Sequence, residues 1–343
     1  MPITTPVLII VGPTAVGKTS LALSLARQFN GEIINADSRQ VYRYMDIGTA
    51  KPSPHEQQQA PHHLLDILDP DQNFDLATFL SLARDAIPEI QGRTRLPIVV
   101  GGTGQYIWAL VEGWQVPEVP PDPEFRAAKI EEAEQHGPEP IYQQLREADP
   151  ERAAQLDSRN LRRVIRALEV QHAQAAQPET PKKTTINSPQ GLPGPLLDPL
   201  IIGLTMDRQQ LYGRIDDRVD SMMSQGLEDE VRSLAARGYV PGKGPLAGPG
   251  YRELGEYLAG SLTLEEAVQR TKFQTHRMVR RQYNWFKLDD PRIKWLDGSV
   301  SSSSSEIESQ AGRMVEHVLS DRACYGTISA DSTQVSEDTG TRK

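Results

Sequence analysis

The chain has 343 residues, with 37 Lys or Arg against 46 Asp or Glu, and its formal net charge at pH 7 is −9. A hydrophobic content of 38% and a mean hydropathy of −0.49 indicate a globular protein, and no apolar run approaches the roughly 18 residues of a membrane span. The single cysteine, Cys324, excludes a disulfide framework or a cysteine-based zinc site and is typical of a reducing cytoplasm.

The first hundred residues alternate between strand and helix patterns. Such alternation predicts a parallel α/β sheet whose ligand site lies at the carboxyl ends of the strands. The first strand is predicted almost at the start of the sequence, so a signal peptide is not expected. The pattern predicts strands at 6–11, 32–36 and 97–100, helices at 17–30, at 74–90 and after 104, and a long irregular segment at 39–74.

A glycine-rich motif with the spacing G-x-x-x-x-G-K-T follows the first predicted strand and opens the first predicted helix. In this context the motif is a P-loop, whose backbone N–H groups and helix N-terminus bind phosphate. Lys18 adds a full positive charge, and the Thr19 hydroxyl can bind Mg²⁺. The motif consists of Gly12, Pro13, Thr14, Ala15, Val16, Gly17, Lys18 and Thr19. It predicts a P-loop NTPase-like parallel sheet flanked by helices, without identifying the owner of the phosphate.

Proline-rich stretches divide the rest of the chain. Residues 1–116 are expected to form the first part of the α/β core, and 117–198 a mostly helical insertion domain. Residues 199–298 return to the core with a strand at 199–204, a helix at 207–236, further helices to about 287 and an edge strand at 293–296. Residues 299–343 have low complexity and are expected to be a disordered tail, apart from one amphipathic helix carrying Ile307, Met314, Val315 and Val318.

Two further segments are predicted at the sheet edge that carries the P-loop. Asp37 follows the second strand, where it is either a base for a nucleophile or a cap for the turn. Gly101-Gly102-Thr103-Gly104 follows the third strand, where an ATPase often has a metal-binding Asp. The glycines predict either a close approach of the backbone to a ligand or a tight turn, and the missing acid weakens the ATP-hydrolysis interpretation.

Two helices concentrate positive charge in this acidic chain. Arg159, Arg162, Arg163 and Arg166 recur at helical spacing with no acid among them, and Leu161, Val164, Ile165 and Leu168 form the opposite, apolar face. From Arg270 to Lys287 there are six Lys or Arg and no Asp or Glu, with aromatic residues interleaved. Either stripe could be a solvated face, but together they favour a nucleic-acid partner.

Arg214 follows the strand at 199–204 and is therefore expected near the phosphate edge. A planar, permanently charged guanidinium suits a diphosphate leaving group. The alternative is an intrahelical ion pair with Asp216 or Asp217.

Seven segments together resemble the tRNA dimethylallyltransferases, also called tRNA isopentenyltransferases. The resemblance runs in order across about residues 6–297. Its segments are the P-loop, Asn35 to Tyr42, Met45 to Pro52, Pro61 to Asp69, Val100 to Thr103, Arg166 to Val170 and Gly250 to Glu253.

This resemblance implies transfer of a dimethylallyl group from dimethylallyl diphosphate to N6 of adenosine 37, in tRNAs that read codons beginning with U. It implies catalytic roles for Asp37, Thr103 and Arg214, a Mg²⁺ cofactor on Thr19, and a P-loop that binds the diphosphate rather than ATP. The partners would be the anticodon stem-loop and the donor, for a cytoplasmic monomer with no membrane contact. The tRNA contacts it implies are Asp37, Ser38, Arg39, Gln40, Thr103, Arg126, Arg162, Arg163, Val164, Ile165, Arg166, Ala247, Gly248, Pro249, Gly250, Tyr251 and Arg252.

The chain departs from the family pattern in two places. Pro249 replaces the aliphatic residue that many relatives have before Gly-Tyr-Arg-Glu, and one cysteine excludes the C2H2 zinc finger of the eukaryotic branch. The chain therefore resembles the bacterial type. Alternatives are an adenylate isopentenyltransferase acting on AMP or ATP, a P-loop small-molecule kinase, and an RNA-binding protein with a vestigial P-loop.

Overall fold

One parallel sheet organises the computed structural model, which describes residues 6–114, 116–117, 119, 121–176, 197, 199–299 and 303–331. Its strands lie in the order β3-β2-β4-β1-β5-β6 and pair in parallel throughout. The strands are β1 (Val7–Val11), β2 (Gly31–Asn35), β3 (His62–His63), β4 (Leu96–Val100), β5 (Pro199–Thr205) and β6 (Ile293–Asp297). All five residues of β1 are buried, as expected for a strand covered on both faces. This confirms the predicted fold class.

Helices connect and cover these strands. None of the described helices is both long and apolar enough to cross a membrane. The helices are α1 (Lys18–Gln28), α2 (Pro54–Gln57), α3 (Leu76–Gly92), α4 (Gly104–Val111), α5 (Pro123–His136), α6 (Glu139–Ala148), α7 (Pro150–Ala154), α8 (Leu161–Ala176), α9 (Arg208–Ser224), α10 (Leu227–Ala236), α11 (Tyr251–Leu258), α12 (Leu264–Trp285) and α13 (Ser304–Asp331).

The chain divides into two compact units. One comprises Met1–Gly113 and Leu192–Lys343 and contains the sheet; the other comprises Trp114–Gly191 and contains α5 to α8. The insertion unit has its own apolar core, in which Ile141, Leu145 and Val164 are fully buried. Its helices therefore bury their apolar faces against one another.

Three elements differ from the sequence-based expectation. The helix predicted at 207–236 is two helices, because Gly226 takes a left-handed conformation (φ 97°) that ends one helix and starts the next. The irregular segment at 39–74 contains the two-residue edge strand β3, which is too short to leave a periodic pattern. The amphipathic helix predicted in the tail is present as α13; it is longer than the stretch that carries its predicted apolar residues, and Ala311 and Val315 are buried in the same core as residues of α1. Residues 332–343 lie outside the described residues.

Candidate active site and RNA-binding surfaces

The P-loop joins β1 to α1 and depends on its two glycines. Gly12 has φ 139°, and a Cβ there would meet the Leu204 carbonyl oxygen at 2.4 Å. Gly17 has φ 102° and caps the N-terminus of α1. Larger residues would strain both positions. The loop therefore curls as a phosphate-binding turn requires, with the free N–H groups of α1 at its end.

Lys18 is the first residue of α1, and its ammonium group donates to the Pro13 carbonyl at 2.6 Å. Burial lowers the pKa of Lys18 to about 8, the Asp37 carboxylate opposes this shift, and Arg218 adds to it. Desolvation and a neighbouring cation both disfavour the charged amine, so an anion bound here would relieve an existing electrostatic cost. The site is suited to a phosphate or diphosphate group.

Asp37 lies at the end of β2 and makes a tight turn with the residues that follow it. Its Oδ1 accepts from the backbone N–H groups of Arg39 (2.9 Å) and Gln40 (3.4 Å). The Thr103 hydroxyl oxygen, at the end of β4, accepts from the Ser38 N–H at 3.3 Å. The turn-cap alternative for Asp37 is therefore present, while the carboxylate also lines the cleft beside Lys18.

The glycines after β4 are crowded by protein. A Cβ on Gly101 would meet the Ala36 carbonyl oxygen at 2.2 Å, and a Cβ on Gly104 would meet Trp285 at 2.3 Å. Glycine is required at these two positions because the residue after β2 and the end of α12 approach the backbone of this turn closely. Gly101 and Gly104 also line the cleft beside Lys18, so a close ligand approach there stays a prediction.

A cleft of about 1090 Å³ brings most of these segments together within the sheet unit. The loop at 46–54 and faces of α9 and α12 complete its walls. Of the predicted site residues, its lining includes Thr14, Ala15, Gly17, Lys18, Thr19, Asp37, Ser38, Arg39, Gln40, Thr103, Pro249 and Gly250. Gly12, Pro13 and Val16 are buried in the P-loop backbone behind that lining.

Arg218, rather than the predicted Arg214, is the arginine of α9 in the cleft lining. Arg218 also perturbs Lys18 electrostatically, and burial lowers its own pKa. The two arginines are one helical turn apart, so both lie on the same side of α9. The spacing in the sequence predicted the correct face of α9 but could not show which of the two arginines on that face lines the cleft.

Three arginines lie close together beside Asp37. Burial lowers the pKa of Arg39; the Asp37 carboxylate opposes this shift, and the guanidinium groups of Arg281 and Arg252 add to it. The guanidinium packs against Gly248, where a Cβ would meet Arg39 Cζ at 2.4 Å. These guanidinium groups form no ion pair within the described part of the chain. Such a cluster is suited to an anionic partner such as an RNA phosphate.

The Tyr251 side chain is not exposed, although the predicted RNA contact would require exposure. It is fully buried, and its hydroxyl donates to Glu230 at 2.7 Å. The same carboxylate accepts from the N–H groups of Asp46, Ile47 and Gly48, at 2.7 to 3.1 Å. Tyr251 and Glu230 therefore fix the loop that walls the cleft, and the phenol ring has no surface left for RNA.

The insertion unit contains the second predicted basic surface, on α8. Arg126 and Arg166 both bind the buried Glu169, and Arg166 also donates to the Val119 carbonyl at 2.8 Å. These pairs lower the pKa of Glu169, although its burial acts in the opposite direction. Arg159 pairs with Asp157 at 2.9 Å. The expectation that this stripe lacks acidic partners is thus wrong. Glu169 lies three residues after Arg166, and Asp157 lies just before the helix.

Arg162 and Arg163 remain exposed, and neither has an ion pair among the described residues. Val164 and Ile165 are buried in the core of the insertion unit, so their side chains are not available for the predicted tRNA contact. Of the four arginines predicted on this surface, only Arg162 and Arg163 are therefore left without an ion pair to a described residue.

Thr19 is the candidate magnesium ligand. Its side chain lines the cleft and makes no hydrogen bond to another described residue. Among the described residues, no group of three His, Cys, Asp or Glu side chains could hold a metal by itself. A metal here would thus need ligands from a bound diphosphate, which fits the way Mg²⁺ is bound at P-loops.

Comparison with known proteins identifies the family. The family model described as "IPP transferase" matches residues 40–289, and "Isopentenyl transferase" matches residues 5–67. A tRNA dimethylallyltransferase of Roseiflexus castenholzii is 50% identical over 282 residues, 82% of this chain and 90% of that protein. One of Symbiobacterium thermophilum is 48% identical over 323 residues, 94% of this chain and 99% of that protein.

Solved structures agree with the sequence matches. The tRNA isopentenylpyrophosphate transferase of Bacillus halodurans has a TM-score of 0.68 at 36% identity, covering 94% of this chain and 99% of that one. A eukaryotic dimethylallyltransferase acting on tRNA has a TM-score of 0.75 at 28% identity, covering 93% and 80%. This chain therefore belongs to the tRNA dimethylallyltransferase family of prenyltransferases.

Proposed function

We propose that this enzyme transfers the dimethylallyl group of dimethylallyl diphosphate to N6 of adenosine 37, in tRNAs that read codons beginning with U. The observation that carries this proposal is that Lys18 and Asp37 line the same cleft and interact electrostatically. A cation for a departing diphosphate thus lies beside a carboxylate for the attacking amine. A kinase would need the same cation, and the feature that counts against it is the Gly101–Thr103 turn, where a metal-binding Asp would be expected.

The leaving-group half of the reaction uses positive charge. The bond between C1 of the dimethylallyl group and the diphosphate oxygen breaks, and the allylic cation is stabilised by resonance. Free N–H groups of the P-loop, Lys18 and Arg218 neutralise the diphosphate as its charge develops. Mg²⁺ bound through Thr19 and the diphosphate oxygens would add further neutralisation of the same group.

The nucleophile half uses Asp37. The exocyclic amine of adenine is a poor nucleophile, because its lone pair is delocalised into the ring. Asp37 accepts the proton that N6 loses as the new C–N bond forms. Thr103 fixes the turn at 37–40 through the Ser38 N–H and lines the same cleft. The adenine must leave the anticodon-loop stack to enter this cleft.

Two basic surfaces support an RNA acceptor. One is the arginine cluster of Arg39, Arg252 and Arg281; the other is the exposed pair Arg162 and Arg163. A free nucleotide would require neither surface, whereas single-stranded RNA is commonly bound by arginines beside exposed bases. One chain contains all the groups that the reaction needs, so we propose that it works as a monomer, in the cytoplasm where tRNA is modified.

The decisive experiment supplies labelled dimethylallyl diphosphate with tRNA, AMP or ATP, with and without Mg²⁺. We expect label in tRNA alone, at adenosine 37, and only with Mg²⁺ present. Label in AMP but not in tRNA would indicate an adenylate isopentenyltransferase and contradict the proposal. Transfer of phosphate from ATP to a small molecule would indicate a kinase.

A further inference from the structure

The C-terminal turns of α12 lie across three strand ends of the active-site edge. Tyr283 pairs through its hydroxyl with the Thr205 hydroxyl at 3.1 Å, at the end of β5. The Trp108 indole N–H donates to the Trp285 carbonyl at 2.8 Å. Gln282, the residue before Tyr283, points at the P-loop. This end of α12 is therefore fixed to the sheet edge at several points.

The Gln282 amide joins two separate parts of the candidate site. Its Oε1 accepts from the Thr14 N–H at 2.9 Å, and its Nε2 donates to the Gly102 carbonyl at 3.2 Å. Thr14 belongs to the predicted diphosphate-binding loop, and Gly102 directly precedes Thr103. One side chain thus sets the spacing between the donor loop and the turn that positions Asp37.

The sequence around this bridge fits it closely. A Cβ on Gly102 would meet Gln282 Nε2 at 2.3 Å, so a larger residue there would displace the amide from its present position. The Thr14 N–H, which the sequence places among the phosphate-binding groups, is already occupied by Gln282. The glutamine therefore fixes the P-loop at a backbone group that the motif predicts to bind phosphate.

We propose that Gln282 is a positioning residue for the transfer reaction. It holds the P-loop and the Gly101–Thr103 turn at the distance at which the donor carbon and the acceptor amine meet. The inference rests on the proposed function, because it takes the donor to lie on the P-loop and the acceptor beside Asp37. A reaction between two bound partners is sensitive to such spacing, since a misplacement of about 1 Å can cost roughly 100-fold in rate.

The test compares Gln282→Met, which keeps the length but loses both hydrogen bonds, with Asn284→Ala. Asn284 is exposed on the same helix, and its amide forms no hydrogen bond to a described residue. Three quantities are measured on the full chain: the single-turnover rate with dimethylallyl diphosphate and an anticodon stem-loop, the Kd for that RNA, and the Kd for Mg²⁺-pyrophosphate.

We expect Gln282→Met to lower the single-turnover rate about tenfold or more and to weaken pyrophosphate binding about threefold, because the loop must then be ordered on binding. RNA affinity and the thermal midpoint should stay close to the wild-type values, and Asn284→Ala should change none of these quantities. Gln282→Glu keeps an acceptor for Thr14 but opposes the Gly102 carbonyl with a second acceptor, so it should not restore the rate.

A rate and a pyrophosphate affinity within twofold of wild type would overturn the proposal. So would equal losses of rate, RNA affinity and thermal midpoint, which would indicate a purely structural residue. A wild-type chain that transferred no label would overturn the proposed function alone, because pyrophosphate binding would still report on Gln282.

Discussion

The arginines of the cleft and those of the insertion unit are held in opposite ways. In the insertion unit, the buried Glu169 binds Arg126 and Arg166, and Asp157 binds Arg159. In the cleft, Arg39 and Arg218 form no ion pair with a described residue. Arg39 is near two further arginines as well as the Asp37 carboxylate, and Arg218 is near Lys18 and Arg214 as well as Glu56. Charge that the protein neutralises itself stabilises the fold, whereas charge left beside like charge is available for a ligand. Substitutions in the two regions should therefore have different effects.

The largest effect is expected at Asp37. Replacing it by Asn keeps a turn-capping oxygen for Arg39 N–H but removes the proton acceptor, so the rate should fall about 1000-fold. RNA affinity should change little, because the arginine cluster remains. Rapid-quench transfer assays and filter binding measure the two quantities. Turnover within tenfold of wild type would remove the proposed role of Asp37.

The second prediction distinguishes the two arginines of α9. Arg218→Gln should lower kcat/KM for the donor about 100-fold, because this substitution removes a charge from the cleft lining. Arg214→Gln should cost much less, since Arg214 lies outside that lining. Steady-state kinetics with saturating RNA compare the variants. The reverse order of losses would restore Arg214 as the diphosphate ligand.

The third prediction concerns the insertion unit and compares free with paired arginines. Removing Arg162 and Arg163 together should weaken RNA binding about tenfold, and reduce the slope of log K against log salt by about 0.7 for each RNA phosphate that the protein then leaves without a cation. Arg159→Ala should reduce that slope less, because Asp157 already neutralises this arginine. Equal slopes for the two variants would contradict the comparison. Affinities measured at several salt concentrations provide the test.

The smallest effect is a dependence on pH. The pKa of Lys18 is lowered to about 8, so its charge is present below that pH and is lost as the pH rises through it. Between pH of about 7.5 and about 8.5, kcat/KM for the donor should therefore fall roughly threefold, because this parameter reports the free enzyme. The Lys18→Arg variant should show a flatter decline with pH, even if its kcat/KM is lower. A wild-type profile that is level across this interval would contradict the assignment.

Sequence alone determined the parallel α/β core, the helical insertion and the P-loop. Each of these depends on local rules: continuous apolar runs for buried strands, glycines at positive φ in the loop, and 3.6-residue periodicity for helices. The same rules predicted the amphipathic helix in the tail but not its burial. Its burial depends on α1, which is distant in the sequence.

Only the tertiary structure decided which charges are free. Arg126 is paired with Glu169, 43 residues away, and Lys272 is paired with Asp220 from another helix, so counting charges within one stretch could not reveal either pairing. The choice of Arg218 over Arg214 and the bridge from Gln282 to the P-loop depend on how α9 and α12 cross the strand ends. The partner of a charged or polar side chain depends on three-dimensional packing. Residues far apart in the sequence become neighbours only when the sheet brings its strand ends to one edge.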